Sequence, residues 1–154
     1  MEYLTIKTLH ILSAILLFGT GLGSAFYKFI TDRSQNLPAM AFTNRHVVLA
    51  DWLFTTPAVI VQPITGLWMA HLAGWPLDTL WIWLSVVLYL IAGACWLPVV
   101  GLQIRMRNKA DAAFAANRPL DDRYWHDARL WFWLGVPAFT AMVAVVFLMV
   151  HKPI

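Results

Sequence analysis

The stretch Tyr3–Phe26, YLTIKTLHILSAILLFGTGLGSAF, is long and apolar enough to cross a bilayer as one helix. An α-helix rises about 1.5 Å per residue, so roughly 20 mostly apolar residues span the hydrocarbon core. One ionisable side chain, His10, lies inside this run. An ionisable residue within a spanning helix is energetically costly and marks a candidate functional site. The stretch therefore predicts a membrane helix with a site at His10.

The helix face that carries His10 consists mostly of small residues. At offsets of three, four, seven and eleven residues after the histidine stand Ser13, Ala14, Leu17 and Gly21. Gly19 and Gly23 add the GxxxG spacing found where membrane helices pack closely. Two interpretations stay open: these residues admit another helix, or they leave a slot for a flat ligand beside the imidazole.

Composition places the whole chain in the membrane. Of its 154 residues, 60% are hydrophobic and 12% are charged, against about 25% charged residues in a typical soluble domain. The net charge of +3 arises from the segments between apolar runs and indicates no nucleic-acid partner. Cys95 is the single cysteine, so no intrachain disulfide can form. The length suits one transmembrane domain, residues 1–154.

Four apolar runs predict an all-α, four-helix membrane bundle. The predicted spans are residues 4–26, 47–72, 79–102 and 130–150, and the polar segments 28–45 and 103–129 are predicted to be connecting loops. The first part of segment 103–129 is predicted to extend the third helix through ADAAFAAN. Those two segments carry nine Lys and Arg residues, whereas the turn 73–78 carries none. The positive-inside rule then places both loops in the cytoplasm and both termini on the outer, periplasmic side of a bacterial inner membrane.

Depth along the spans sorts the histidines into two predicted clusters. The outer cluster is His10, His71 and His151, and the inner one is His46 with His126. His71 and His151 also fit simple interfacial side chains at the headgroup level. Near the inner pair, we expect Asp51 to pair with a basic side chain, either Arg45 or Arg129.

Imidazole binds haem iron, zinc and copper. A structural zinc site needs four close ligands, and the chain has neither a cysteine pair nor an HxxxH motif. Haem needs only one or two axial ligands, an apolar slot and cations for its propionates. We therefore expect haem b, with the metal ligands His10, His46 and His126.

The inner histidines would form a separate site, so the sequence leaves one or two haems open. The predicted propionate partners are Lys7, Lys152, Arg45 and Arg129. The competing interpretation of His10 is a packing histidine whose nitrogens are satisfied by neighbouring side chains.

Several segments carry a family resemblance. The opening YLTIKTLHILSAILLFGTGLGSAFYKF, the segment TTPAVIVQPITGLWM and the closing VPAFTAMVAVVFLMVHKPI resemble the HemJ-type, four-span protoporphyrinogen oxidases. The segment RHVVLADWLFTTPAVIVQPITG is similar to a family of predicted integral membrane proteins of unknown function, related to HemJ and to the CopD copper-resistance proteins. The resemblance implies a four-helix unit able to bind haem b through His10. Ser85 stands where the HemJ pattern has a lysine.

Three functional hypotheses follow. The first is a haem b protein that transfers electrons within the membrane, with a quinone or another redox protein as partner. The second is a porphyrinogen oxidase resembling HemJ, and the third is a non-redox copper-handling or membrane assembly protein. The lipid bilayer is a partner in all three, and self-association into a homo-oligomer is left open.

Overall fold

A computed structural model describes residues 1–153, which form helices without any strand. The elements are α1 (Glu2–Ser34), α2 (Leu37–Ala50), a π-helical turn (Asp51–Thr55), α3 (Thr56–Leu72), α4 (Leu80–Ala115) and α5 (Asp122–His151). Because α2, the π-helical turn and α3 run on without a break, the chain has four helices long and apolar enough to span a membrane. The predicted all-α, four-span architecture is confirmed.

The helices extend well beyond the predicted spans. The segment 28–45, predicted to be a loop, is helical except at Gln35 and Asn36. Helix α4 runs on to Ala115, in agreement with the helical extension predicted for the first part of segment 103–129. Gln35 ends α1 in the left-handed conformation, with φ 54°. The side chain of Asn36 then caps α2 by accepting a hydrogen bond from the Ala39 amide. Polar residues next to an apolar run therefore continue a helix here, because its backbone hydrogen bonds are internal.

The π-helical turn lies in the middle of the second span. Thr56 donates its N–H to the carbonyl of Asp51, five residues earlier. Pro57 follows directly and has no N–H to donate, so the regular hydrogen-bond ladder is interrupted at this point. The turn buries both Asp51 and Thr55. The π-helical turn thus provides a polar, buried position within an otherwise apolar span.

Helix packing follows the chain order. Helix α1 packs on α2 and α3, α2 packs on α4, and α4 packs along α5. Between α1 and α5 the contact includes two aromatic pairs, Phe18–Phe139 and Phe29–Phe132, whose ring centroids are 5.7 and 5.8 Å apart. We call the end where α1 and α4 terminate the basic end, and the opposite end, with both chain termini, the terminus end.

Candidate functional site

His10 lies between α1 and α3 toward the terminus end, and only 7% of its surface is exposed. Its Nδ1 lies 2.9 Å from Oγ1 of Thr65, and its Nε2 lies 3.1 Å from Nε2 of Gln62. The Thr65 hydroxyl donates to the carbonyl of Val61, so its oxygen accepts the proton of His10 Nδ1. His10 Nε2 then accepts from the Gln62 amide. Both ring nitrogens of the neutral imidazole are satisfied.

Helical spacing on two elements builds this cluster. Ser13 follows His10 by one turn on α1 and donates to Oε1 of Gln62. On α3, Gln62, Thr65 and Gly66 share one face. A Cβ on Gly66 would lie 3.1 Å from Cε1 of His10, so glycine at this position makes room for the imidazole. This arrangement agrees with the competing interpretation from the sequence, in which His10 is a packing histidine whose nitrogens are satisfied by neighbouring side chains.

The other predicted outer histidines lie at the surface. His71 and His151 are exposed, and Nδ1 of His151 lies 3.0 Å from the carbonyl oxygen of Phe147. Lys7 is also exposed. Nζ of Lys152 lies 5.8 Å from the ring centre of Trp75, as expected for a cation near an aromatic belt.

The predicted inner histidines are likewise exposed. Nδ1 of His46 lies 2.8 Å from the carbonyl oxygen of Phe42, on whose ring the imidazole stacks. His126 lines a basic cleft on α4 and α5 that also contains Arg129. Across residues 1–153, no group of three or more His, Cys, Asp or Glu side chains is placed to hold a metal ion.

An apolar cavity of about 350 Å³ lies between α1, α4, α5 and the π-helical turn. Three glycines contribute to its lining, Gly21 from α1, Gly93 from α4 and Gly135 from α5, and a Cβ at each would meet nothing within 4 Å. Leu22 and Val136 also line the cavity and are 57% and 43% exposed, so the cavity reaches the lipid-facing surface. Leu17 and Gly21 from the small face of α1 border this cavity, but His10 does not, so it is not the slot beside the imidazole that the sequence left open.

Polar residues lie on one part of the cavity lining. Asp51 and Thr55 come from the π-helical turn, and Gln103 comes from α4. The Thr55 hydroxyl donates a 2.8 Å hydrogen bond to Oδ1 of Asp51. Oδ2 of Asp51 and Nε1 of Trp96, another lining residue, are both buried without a hydrogen-bond partner. Buried polar groups are normally paired, so Asp51, which Gln103 also approaches, and Trp96 are the candidate hydrogen-bonding residues for a ligand in this cavity.

The prediction that Asp51 forms an ion pair with Arg45 or Arg129 is wrong. Nε of Arg45 instead lies 2.7 Å from Oδ1 of Asp111 on α4, and none of the described cations lies within ion-pair distance of Asp51. Arg45 and Asp51 are six residues apart, and the helix between them places the arginine toward the end of α4. The aspartate is instead enclosed in the bundle at the π-helical turn.

Sequence reasoning missed a buried polar cluster at the basic end. Nζ of Lys28 is 2.7 Å from Oδ2 of Asp32 and donates to the hydroxyl of Tyr124 on α5. Tyr124 donates a 2.6 Å hydrogen bond to Oδ1 of Asp32 and accepts one from Asn44 of α2. Lys28 is completely buried. The i, i+4 spacing of Lys28 and Asp32 is the sequence signal for this ion pair, although both residues lie in the segment predicted to be a loop.

A second acidic group organises the surface of the basic end. Asp127, which precedes the apolar part of α5, accepts from Arg105 at 3.0 Å and from Lys109 at 2.9 Å. Burial alone would raise the pKa of Asp127, but the hydrogen bonds and charges of Lys109 and Arg105 outweigh it and hold that pKa below its usual value. The carboxylate is therefore ionised at neutral pH and positions two cations.

The arrangement of His10 does not fit an axial haem ligand without rearrangement. Its Nδ1 is held by Thr65, as the other ring nitrogen of a metal-binding histidine is usually held by a hydrogen-bond acceptor. Its Nε2, the atom that would coordinate iron, is already bonded to the Gln62 amide. None of the five histidines lines the cavity. Haem ligation by His10 would require Gln62 to turn away.

Comparison with known proteins identifies the family. Residues 4–153 match the model of a family described as predicted integral membrane protein (DUF2269), and the chain belongs to that family. No curated protein and no solved structure matches the chain. The protein is accordingly an integral, multi-pass membrane protein with four spans in contact with the bilayer.

Proposed function

Taking the chain as a four-span membrane protein of the DUF2269 family, we propose that it binds a lipid-soluble ring molecule of the quinone or quinol class in the cavity. The observation that carries the proposal is the pair of buried, unpartnered atoms, Oδ2 of Asp51 and Nε1 of Trp96, on an otherwise apolar lining. Ligand sites in proteins typically combine an apolar enclosure with a few polar groups that fix orientation.

The chemistry of a quinol or quinone suits this lining. A quinol hydroxyl can donate to the free oxygen of Asp51, and a quinone carbonyl can accept the indole N–H of Trp96. The isoprenoid tail needs an apolar exit to the lipid. Leu22 and Val136 provide one, because both line the cavity and are exposed on the outer surface of the bundle.

In this proposal the chain lies in a bacterial inner membrane with its basic end toward the cytoplasm. The Lys and Arg residues of the two polar connections support that orientation. The bound carrier would make the protein a membrane electron-transfer component or oxidoreductase. Self-association of the chain is compatible with the proposal and is not required by it.

Haem b is the second candidate, and one observation favours it. Thr65 holds Nδ1 of His10, which leaves Nε2 as the atom able to coordinate iron once Gln62 has turned away. The resemblance of the first span to HemJ-type oxidases supports the same histidine. Haem bound there would supply one-electron chemistry. His46 and His126 would need a separate inner site, and both side chains are exposed.

The cavity proposal is tested by analysing what copurifies with the protein. We expect solvent extraction of detergent-purified protein to yield quinone near one molecule per chain. Gly135→Leu places a side chain in the cavity and should remove most of the bound quinone. Gly19→Leu changes an exposed residue outside the cavity and should leave the bound quinone unchanged. Helical content of each variant is checked by circular dichroism. Quinone at the bulk lipid ratio, or equal retention by folded variants, would overturn the proposal.

The haem proposal is tested by a reduced-minus-oxidised visible spectrum with a pyridine haemochrome count. A b-type spectrum near one haem per chain, lost in His10→Ala, is the expected result. His71→Ala is the matched control because His71 is exposed at the end of α3. A colourless protein from haem-replete cells would exclude haem b and leave copper binding to be measured. Rescue of cells lacking protoporphyrinogen oxidase would instead support the HemJ-like activity.

A further inference from the structure

A basic cleft of about 510 Å³ lies where α4 ends and α5 begins. Four cations line it, together with His126 and two carboxylates: Arg105, Lys109, Arg123 and Arg129 face Asp122 and Asp127. The cleft therefore holds two positive charges in excess. It is separate from the apolar cavity, whose lining shares none of these residues.

Ion pairs hold part of the cleft in a defined arrangement. The side chain of Asp127 is 8% exposed and uses both oxygens, one for Arg105 and one for Lys109. This buried carboxylate neutralises one charge and fixes the position of two cations on α4. Arg123 and Arg129, on α5, form no ion pair within residues 1–153. They supply the charge that a ligand would neutralise.

The position of the cleft relative to the spans identifies its ligand. Arg129 directly precedes the apolar part of α5, where Leu130 and Trp133 are 41% and 68% exposed. Tryptophan at such a position is typical of the membrane–water interface. An anion in the cleft would therefore sit at headgroup depth, with exposed apolar side chains directly below it.

We propose that this cleft binds the phosphate headgroup of an anionic phospholipid, with the acyl chains along the exposed surface of α5. Arg123 and Arg129 contact the phosphate, and Arg105 and Lys109 complete the cationic wall. Basic pockets beside membrane helices recognise anionic lipids in this way. The proposal does not depend on a quinone in the cavity or on haem.

The experiment is native mass spectrometry of the full-length, detergent-purified protein, titrated with phosphatidylglycerol or with phosphatidylcholine of the same acyl chains. We expect clear preference for phosphatidylglycerol. A cation in direct contact with the lipid phosphate contributes about a fivefold change in affinity, so Arg123→Gln and Arg129→Gln should each weaken phosphatidylglycerol binding about fivefold.

Arg107→Gln is the matched control. Arg107 lies on α4 between Arg105 and Lys109, bonds only its neighbour Asn108, and does not line the cleft. The Arg107→Gln substitution removes the same charge at the same depth and should leave the preference for phosphatidylglycerol intact. Equal binding of both lipids, or an equal loss in Arg107→Gln, would overturn the proposal. Displacement of phosphatidylglycerol by an equal concentration of inorganic phosphate would show that the cleft takes free phosphate instead.

Discussion

The hydroxyl of Tyr124 donates a 2.6 Å hydrogen bond to Oδ1 of Asp32, and this bond joins α5 to α1 at the basic end. The same hydroxyl accepts from Lys28 at 3.1 Å and from Asn44 at 2.9 Å. One phenol thus connects α1, α2 and α5, where a cation, a carboxylate and an amide are buried together.

Tyr124→Phe should therefore destabilise the bundle. The substitution leaves buried polar groups short of a partner, which costs roughly 1–3 kcal/mol. The measurement is thermal unfolding in detergent, followed by circular dichroism. Tyr27→Phe is the control, because Tyr27 is 68% exposed on α1. Equal stability of the two variants would show that the phenol hydroxyl is not required for the packing of α5.

Loss of charge at the two buried carboxylates Asp32 and Asp51 should affect stability differently. Asp32 accepts from Lys28 and Tyr124, so Asp32→Asn should lower the free energy of unfolding by about 1–3 kcal/mol. Asp51 has one orphaned oxygen and no cation, so Asp51→Asn should leave that free energy unchanged or raise it by up to about 1 kcal/mol. The same variant should lose bound quinone. Comparable destabilisation by both substitutions would indicate an unrecognised partner for Asp51.

Gly66→Ala should weaken the contact between α1 and α3. The added Cβ would lie 3.1 Å from Cε1 of His10, and overpacking of this kind typically costs about 1–3 kcal/mol. Gly19→Ala adds the same methyl group where nothing lies within 4 Å, and there alanine should stabilise the helix by roughly 0.5–1 kcal/mol. Detergent unfolding of the two variants should give shifts of opposite sign. A neutral Gly66→Ala would mean that the imidazole can move aside.

Thr65→Val should release the imidazole of His10 from its present orientation. The hydroxyl at Oγ1 is the acceptor for Nδ1, and hydrogen bonds between membrane helices contribute about 0.6 kcal/mol on average and up to about 1.7. We expect a loss of stability within that range in detergent unfolding. Thr140→Val is the control, since the Thr140 hydroxyl bonds only the Val136 carbonyl of its own helix. A smaller loss for Thr65 than for Thr140 would contradict the proposed geometry.

Much of the architecture was predictable because the bilayer imposes it. Hydropathy and length alone located four spans, since any backbone that crosses hydrocarbon must satisfy its hydrogen bonds internally. The helix ends were less predictable. Lys28 and Asp32 look like loop residues in the sequence, but they pair with each other one turn apart and are buried by α2 and α5.

The candidate site was predicted in part. The burial of His10 followed from its place in the first span, and Gly21 borders a cavity, although His10 does not line it. The partners of His10 were not predicted, because Gln62 and Thr65 are more than 50 residues away and read as ordinary polar interruptions of the second span. The closeness of Arg45 and Asp51 in sequence predicts an ion pair, but the arginine contacts Asp111 of α4 instead.

The sequence by itself determined that this protein is a four-helix membrane unit with a buried histidine in its first span, because the apolar runs and the cost of burying an ionisable group are local properties of the chain. The tertiary structure decided what surrounds each polar group. Only the packing of α1 on α3 satisfies both nitrogens of His10, and only the meeting of α1, α4 and α5 encloses a cavity beside Asp51. Contacts between helices depend on their relative rotation and depth, and hydropathy does not encode either one.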